Sequence, residues 1–164
     1  MLELKIKADI RGLDEMTAQY PQASDRARRG RLAEAALLLE RAIKETTPVG
    51  AGPIHLRDTI FSETVIQGLA ISAALGTPAV HGEPVEYGTK PHFPPVAPIR
   101  HWVERKLGLS GSEAAGVAFV IARAISKRGT KPARMFGRGV DEQKAAVIRI
   151  LEQIPDDIVR MVKG

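Results

Sequence analysis

Leu2, Leu4, Ile6 and Ala8 alternate with Glu3, Lys5 and Lys7 at the start of the chain, the period-two pattern of a half-buried strand. Gly12 and Asp14 then mark a turn, and a short helix is predicted over Leu13–Gln19, ending ahead of Pro21. Residues 22–46 read as one long helix, because Leu32, Ala35, Ala36, Leu39 and Ile43 recur at helical spacing and form a single apolar stripe. Thr46-Thr47-Pro48-Val49-Gly50-Ala51-Gly52-Pro53 closes that helix in a loop rich in glycine and proline. His55-Leu56-Arg57-Asp58-Thr59-Ile60 leads into a β region. Residues 60–67 and 69–75, separated by Gly68, predict a hairpin. A third run over 78–87, with Val80, Val85 and Tyr87, predicts a further strand whose middle is a bulge or an edge at Gly82 and Pro84.

The segment from Gly88 to Pro98 carries four prolines and predicts a stiff, extended loop. A helix over 99–107 follows, with Ile99, Trp102, Val103 and Leu107 as a stripe suited to core packing and Arg100, Arg105 and Lys106 facing outward. Ser112 is placed to cap a helix running to Lys127, with Ala114, Val117, Ala118, Ile121 and Ile125 on one face and Gly129 stopping it. Residues 130–139 predict a basic loop containing Met135-Phe136. The last helix is predicted to start near Val140, with Pro155 kinking or splitting it. No internal repeat is read. The order β-α-β-β-β-α-α-α implies an α+β domain over 1–164. It would hold a small antiparallel sheet of about four strands against a long N-terminal helix and C-terminal helices, with flexible loops at 47–55, 88–98 and 129–139.

Composition narrows the chemistry. The chain of 164 residues has the commonest size of one domain. With no cysteine, disulfides, thiolate metal sites and cysteine nucleophiles are excluded together. The longest nearly apolar run, Ala114 to Ile125, is interrupted by Arg123 and is shorter than the roughly 20 residues a bilayer span needs. The N-terminus lacks the apolar stretch of a signal peptide, which implies cytoplasmic synthesis and use, at least at first. The net charge of +5 is unevenly placed. Residues 100–138 hold nine Lys/Arg against two acids, and Arg26, Arg28, Arg29 and Arg31 form a second cluster. Four positive residues near a helix N-terminus oppose its dipole, which points to a partner more than to helix stability. Such asymmetry suits a polyanion or an acidic surface; it equally suits two solvated helix faces.

No phosphate-cradling loop, dinucleotide fingerprint, nucleophile elbow or zinc-protease motif is present in the sequence. His81, His92 and His101, with Glu83 and Glu86, match no metal-ligand spacing and read as surface or loop residues, the glutamates decorating an exposed strand edge.

Three blocks, in order, carry a resemblance. Thr47-Pro48-Val49-Gly50-Ala51-Gly52-Pro53 followed by Leu56-Arg57-Asp58-Thr59-Ile60 is similar to a "TPVGTG…LRDSI" segment. Val85-Glu86-Tyr87-Gly88-Thr89-Lys90-Pro91-His92 is similar to a "Y-x-E-x-G-T" strand end. Ala118 to Lys131 followed by Met135-Phe136 resembles a closing segment in which a buried aromatic leads into the last helix. Together they resemble the head–tail joining proteins of long-tailed double-stranded-DNA bacteriophages, the tail-completion or neck group. Pro53 and the extra helix around Trp102 depart from that pattern. The resemblance implies a virion structural protein of the head–tail junction, made in the host cytoplasm, with no catalytic site, metal or cofactor and no membrane. It further implies a homo-oligomeric ring, taken as hexameric, that contacts neck, connector and tail-tube proteins and touches genomic double-stranded DNA in its lumen without sequence preference. The interface or lumen candidates are Arg26, Arg28, Arg29, Arg31, Pro48, Gly50, Gly52, Arg57, Thr89, Lys90, His92, Lys127, Arg128, Lys131 and Arg134. Two other readings stand beside it: a basic nucleic-acid-binding protein using the same arginines and lysines, and a small hydrolase or metalloenzyme built on His81, Glu83, His92 and His101.

Overall fold

The computed structural model describes residues 2–7, 10, 12–50, 55–67 and 70–164. Strand β1 (Leu2–Ile6) is followed by α1 (Leu13–Gln19) and α2 (Pro21–Thr46), then by a single 3-10 turn at Leu56–Thr59. The hairpin strands β2 (Phe61–Gln67) and β3 (Ala70–Thr77) come next. Five helices complete the chain: α3 (Gly82–Tyr87), α4 (Val96–Leu107), α5 (Gly111–Arg128), α6 (Met135–Leu151) and α7 (Ile154–Lys163). The fold is mixed, mostly helical with a small antiparallel sheet.

The sheet has three strands in the order β1-β3-β2, both pairs antiparallel, with Leu4 opposite Leu75 and Phe61 opposite Gly76. The strand predicted over 78–87 is not a strand. Residues 82–87 form α3, and Pro84 sits in its first turn, where its missing N–H has no helical partner to lose. The predicted α6 start also moves, from Val140 back to Met135.

Helix α2 is the spine. Its stripe of Leu32, Ala35, Ala36, Leu39 and Ile43 is buried against β3 and α6 in the main core, with Leu56, Ile60, Leu75, Met135 and Phe136. Gly139 makes the α2–α6 approach feasible: a Cβ there would lie 2.8 Å from Ile43 Cγ1. A smaller core at the other end of α2 joins Leu13 and Ala27 to Ile154 and Ile158 of α7. Across it, Arg31 Nε donates to Asp157 Oδ2 at 2.6 Å, and Arg31 Nη1 to Glu34 Oε2 at 2.9 Å. The Arg31 bonds, against the opposing effect of burial, hold the Asp157 carboxyl below its usual range.

A third core is separate. Val103 of α4 and Ala114 and Ala118 of α5 are fully buried with Val96, Ile99, Leu109, Val117 and Ile121 around them. Helices α4 and α5 therefore form a hairpin that packs chiefly on itself. Among the described residues no single helix is long and apolar enough to cross a membrane. The α4–α5 pair reaches that composition only jointly and is bent by 118°.

A clasped helical hairpin as candidate docking surface

The hairpin joins the body through two copies of one tetrapeptide, Gly88-Thr89-Lys90-Pro91 before it and Gly129-Thr130-Lys131-Pro132 after it. The two run antiparallel and meet at an isolated bridge between Thr89 and Thr130. Thr89 N donates to Thr130 O and Thr130 N to Thr89 O, both at 3.2 Å. The two hydroxyls lie 3.1 Å apart, and Thr130 N also reaches Thr89 Oγ1 at 3.1 Å. Both glycines lie in the left-handed region, Gly88 at φ 74° and Gly129 at φ 69°. A Cβ on Gly129 would collide with Thr89 O, and one on Gly88 with Thr130 O. Glycine is thus required twice, for conformation and for close approach. This clasp is a short internal repeat that the sequence reading missed; the signal was the identical Gly-Thr-Lys-Pro itself.

Next to the clasp, Ala133 N donates to Val85 O at 2.8 Å and Arg134 N to Glu86 O at 3.1 Å. Glu86, predicted to sit on an exposed strand edge, is instead buried on α3. Its Oε2 accepts from Phe136 N at 2.8 Å and its Oε1 from Gly137 N at 3.1 Å. These are amides of the first turn of α6, whose donors have no intrahelical partner, so a carboxylate supplied 50 residues upstream caps that helix. Arg134, at the cap position, takes the left-handed conformation at φ 52°.

A cleft of about 380 Å³ opens where the hairpin meets the body, lined among others by Pro48, His81, Thr89, His92 and Lys131. Its remaining wall is largely apolar, from Pro84, Val85, Ile99 and Ile125. The hairpin and the loop before it expose Phe93, Trp102, Leu107, Phe119 and Val120, with Phe119 52% and Val120 65% exposed. The Phe93 and Phe119 rings lie 6.2 Å apart, centroid to centroid. Trp102 and Leu107, expected in the core stripe of α4, are in fact exposed, and Val103 carries the burial. The reason is that, among the described residues, α4 packs chiefly against α5, so one narrow face suffices.

The site residues predicted from sequence fall into two groups at opposite ends of α2, a helix of 26 residues and so roughly 39 Å long. At the clasp end stand Pro48, Thr89, Lys90, His92, Lys127, Arg128, Lys131 and Arg134. His92 Nδ1 lies 2.9 Å from Lys90 O. Lys90, Lys127, Arg128 and Lys131 are exposed. Arg134 approaches Asp141 at 3.5 Å on the surface. At the other end, Arg26 borders a surface cleft with Tyr20 and Met161. Arg28 Nε contacts Ser24 O at 3.4 Å, and Arg29 pairs with Asp25 at 2.7 Å. Arg31 ties α2 to α7 through Asp157. That arginine cluster, read as opposing helix stability, therefore spends at least Arg29 and Arg31 on ion pairs within the fold. Arg57 lies in the 3-10 turn beside Asp58, at 3.7 Å. Gly50 is exposed; Gly52 lies outside the described residues.

No protein-family model, curated protein or solved structure matches the chain. The arrangement has to be read from its own chemistry. Among the described residues no group of three or more His, Asp or Glu side chains is placed to hold a metal ion. His81 and His92 share the cleft, while His101 is exposed on α4. The clasp residues offer hydroxyls, cations and apolar surface, a set suited to holding another molecule.

Proposed function

We propose that the chain is a structural subunit of the head–tail junction of a long-tailed double-stranded-DNA bacteriophage, a tail-completion or neck protein that works by assembly and catalyses no reaction. The observation that carries this reading is the clasped hairpin with Phe93, Trp102, Leu107, Phe119 and Val120 outside any core of its own chain. Exposed apolar side chains of this size, with the Phe93 and Phe119 rings 6.2 Å apart, suit a surface that another protein covers. A hairpin that docks on a different surface of the next copy makes a heterologous contact, and such contacts form a ring where the rotation between copies closes. The three sequence blocks resembling neck proteins, two of which flank the clasp, supply the biological setting. In this reading the subunits form a ring, taken as six-fold, that contacts connector and tail-tube proteins and leaves a passage for DNA in the virion.

Mass photometry and negative-stain microscopy of the purified chain, alone and mixed with tail-tube and connector proteins, test it. The expected outcome is closed rings, on the partner if not alone. Trp102→Ser with Phe119→Ser should abolish rings and leave a folded monomer by circular dichroism. Monomers throughout, with no affinity for either partner, would sink the proposal. A free nucleic-acid-binding protein is the second reading, favoured by the cations around the clasp. Strong sequence-specific duplex binding by a monomer is the outcome that would select it.

A further inference from the structure

Strand β1 has one edge paired and one edge open. It pairs with β3, and among the described residues no other backbone hydrogen bond reaches Leu2–Ile6. The register runs unbroken from Leu2 opposite Thr77 to Ile6 opposite Ala73, so no bulge turns the strand away, and the strand holds no proline. Beside it lies a groove of about 250 Å³ lined by Leu2, Leu4, Tyr87, Phe136 and Val140, with Glu3 and Asp141 as its exposed charges. An open edge beside an apolar groove is a template for a further strand. The other outer strand, β2, offers less: Ser62 and Thr64, opposite the core residues Leu75 and Ala73, are polar.

The side chains of β1 say which strand fits. Leu2, Leu4 and Ile6 point to the core side, opposite Thr77, Leu75 and Ala73. Glu3 and Lys5 are exposed on the other face, opposite Gly76 and Ala74, with Lys5 Nζ 3.5 Å from Glu3 Oε1. A second β1 laid antiparallel and centred on Leu4 sets Leu4 against Leu4, Leu2 against Ile6, and Glu3 against Lys5 twice. Directly opposite residues share a face, so the added Leu2, Leu4 and Ile6 come to the groove side. A slide by two residues sets Glu3 against Glu3 or Lys5 against Lys5, and a slide by one turns the apolar face outward. The sequence Leu-Glu-Leu-Lys-Ile is therefore self-complementary in one register.

We infer that the open edge of β1 is a two-fold contact, at which two copies of this chain pair their first strands antiparallel about Leu4 and join their sheets. The contact is isologous, each Glu3 meeting the other copy's Lys5. It goes beyond the ring reading and uses none of the exposed hairpin residues. Two five-residue strands fall at the small end of specific interfaces, below roughly 1,200 Å², so the dimer should form at about 10 to 100 μM.

The test is sedimentation equilibrium of the full chain from about 5 to 500 μM, a range that brackets such an affinity. Wild type and the Trp102→Ser/Phe119→Ser variant, which is monomeric at the nanomolar concentrations of mass photometry, should dimerise alike. Glu3→Lys and Lys5→Glu alone put like charges opposite each other and should each weaken dimerisation at least about tenfold. Mixing those two variants, or combining both changes in one chain, restores opposite charges and should return affinity to within about threefold of wild type. The chain has no cysteine, so a mixture of Glu3→Cys and Lys5→Cys should cross-link on oxidation while neither does alone, opposite Cα atoms being about 4.5 to 5.5 Å apart. A wild type monomeric throughout, single swaps without effect, or a mixture that does not recover overturns the inference. Dimers lost in the Trp102→Ser/Phe119→Ser variant assign the contact to the hairpin and overturn it too. So does a monomeric wild type whose β1 amides gain exchange protection only when connector or tail-tube protein is added, which gives the edge to a foreign strand. Rings without recovery by the charge swap sink this inference alone, whereas swap-sensitive dimers that never form rings leave it standing and count against the ring.

Discussion

Replacing Glu86 by alanine should cost this fold about 3 kcal/mol, a large share of the stability of a domain this size. The carboxylate makes two bonds, to Phe136 N at 2.8 Å and to Gly137 N at 3.1 Å. The first is buried, so losing the oxygen leaves the Phe136 amide without its charged acceptor away from bulk solvent. A buried donor stripped of a charged acceptor costs about 2 kcal/mol. The second is only partly buried, so solvent can recover some of it, and the loss is that of an ordinary helix cap, about 1 kcal/mol. Urea unfolding followed by circular dichroism measures the sum. With a slope of about 2 kcal/mol per molar, the midpoint should fall by about 1.5 M. Thermal unfolding should drop by about 6 to 12 °C for a chain of this length. Glu86→Gln keeps one acceptor oxygen and should lose about half as much. Glu142→Ala, exposed on α6, serves as the control and should change stability by less than about 0.5 kcal/mol. If Glu86→Ala falls no further than Glu142→Ala, the carboxylate does not hold the start of α6, and the account of how the clasp region is joined to the body fails.

Gly129→Ala places a Cβ against Thr89 O in a left-handed conformation and should destabilise the chain by more than about 2 kcal/mol, read by the same urea titration. Gly30→Ala, in α2 with open space around the added methyl, should instead stabilise by about 0.5 to 1 kcal/mol. The Arg31–Asp157 pair sets an acid limit. Asp157 titrates below its unfolded value near 3.8, so its contribution is complete above that pH and is lost as pH falls through the lower folded value. Asp157→Asn should therefore be less stable than wild type by about 2 kcal/mol at pH 7, and the gap should close below about pH 4. A gap that stays constant from pH 7 to pH 2 refutes the linkage.

Elements whose signal is local were legible in the sequence. The alternation of Leu2, Leu4 and Ile6 gave β1, and the stripe from Leu32 to Ile43 gave α2 to within a residue of its observed bounds. The hairpin and the split at Pro155 followed from glycine and proline chemistry. The failures share a cause. Val80, Val85 and Tyr87 mimic a strand's alternation, yet α3 is fixed by what it touches: Val85 and Glu86 accept backbone bonds from Ala133 and Arg134. The start of α6 was hidden because its cap, Glu86, is far away in sequence and because Gly137 and Gly139 depress helix propensity. Of the candidate site, the 88–98 loop, the basic loop over 130–139 and the helix end at Lys127 and Arg128 were named from sequence as separate features. That they form one clasp depends on a pairing across 41 residues, Thr89 with Thr130, which only the repeated Gly-Thr-Lys-Pro could have announced.

The clasp also bears on why the hairpin's apolar residues point outward. Had α4 and α5 been added to enlarge the core, Trp102, Phe119 and Val120 would face α2 or the sheet; instead the hairpin buries only a narrow seam of its own. Holding that unit on the body requires two glycines in the left-handed region and bonds from both threonines, a geometry with no benefit to the main core. What such a mount does provide is a fixed orientation at the hairpin's base. A surface already held in its binding geometry loses less conformational entropy when a partner covers it. A hairpin on a loose linker could reach the same partner but would give up part of its affinity to ordering, and a closed ring, which repeats one contact at a fixed rotation, tolerates little variation in that angle. The clasp is therefore the feature on which assembly should depend most steeply. Gly129→Ala should impair ring formation at least as severely as the loss of Trp102 and Phe119, even where temperature or osmolyte restores its folded population.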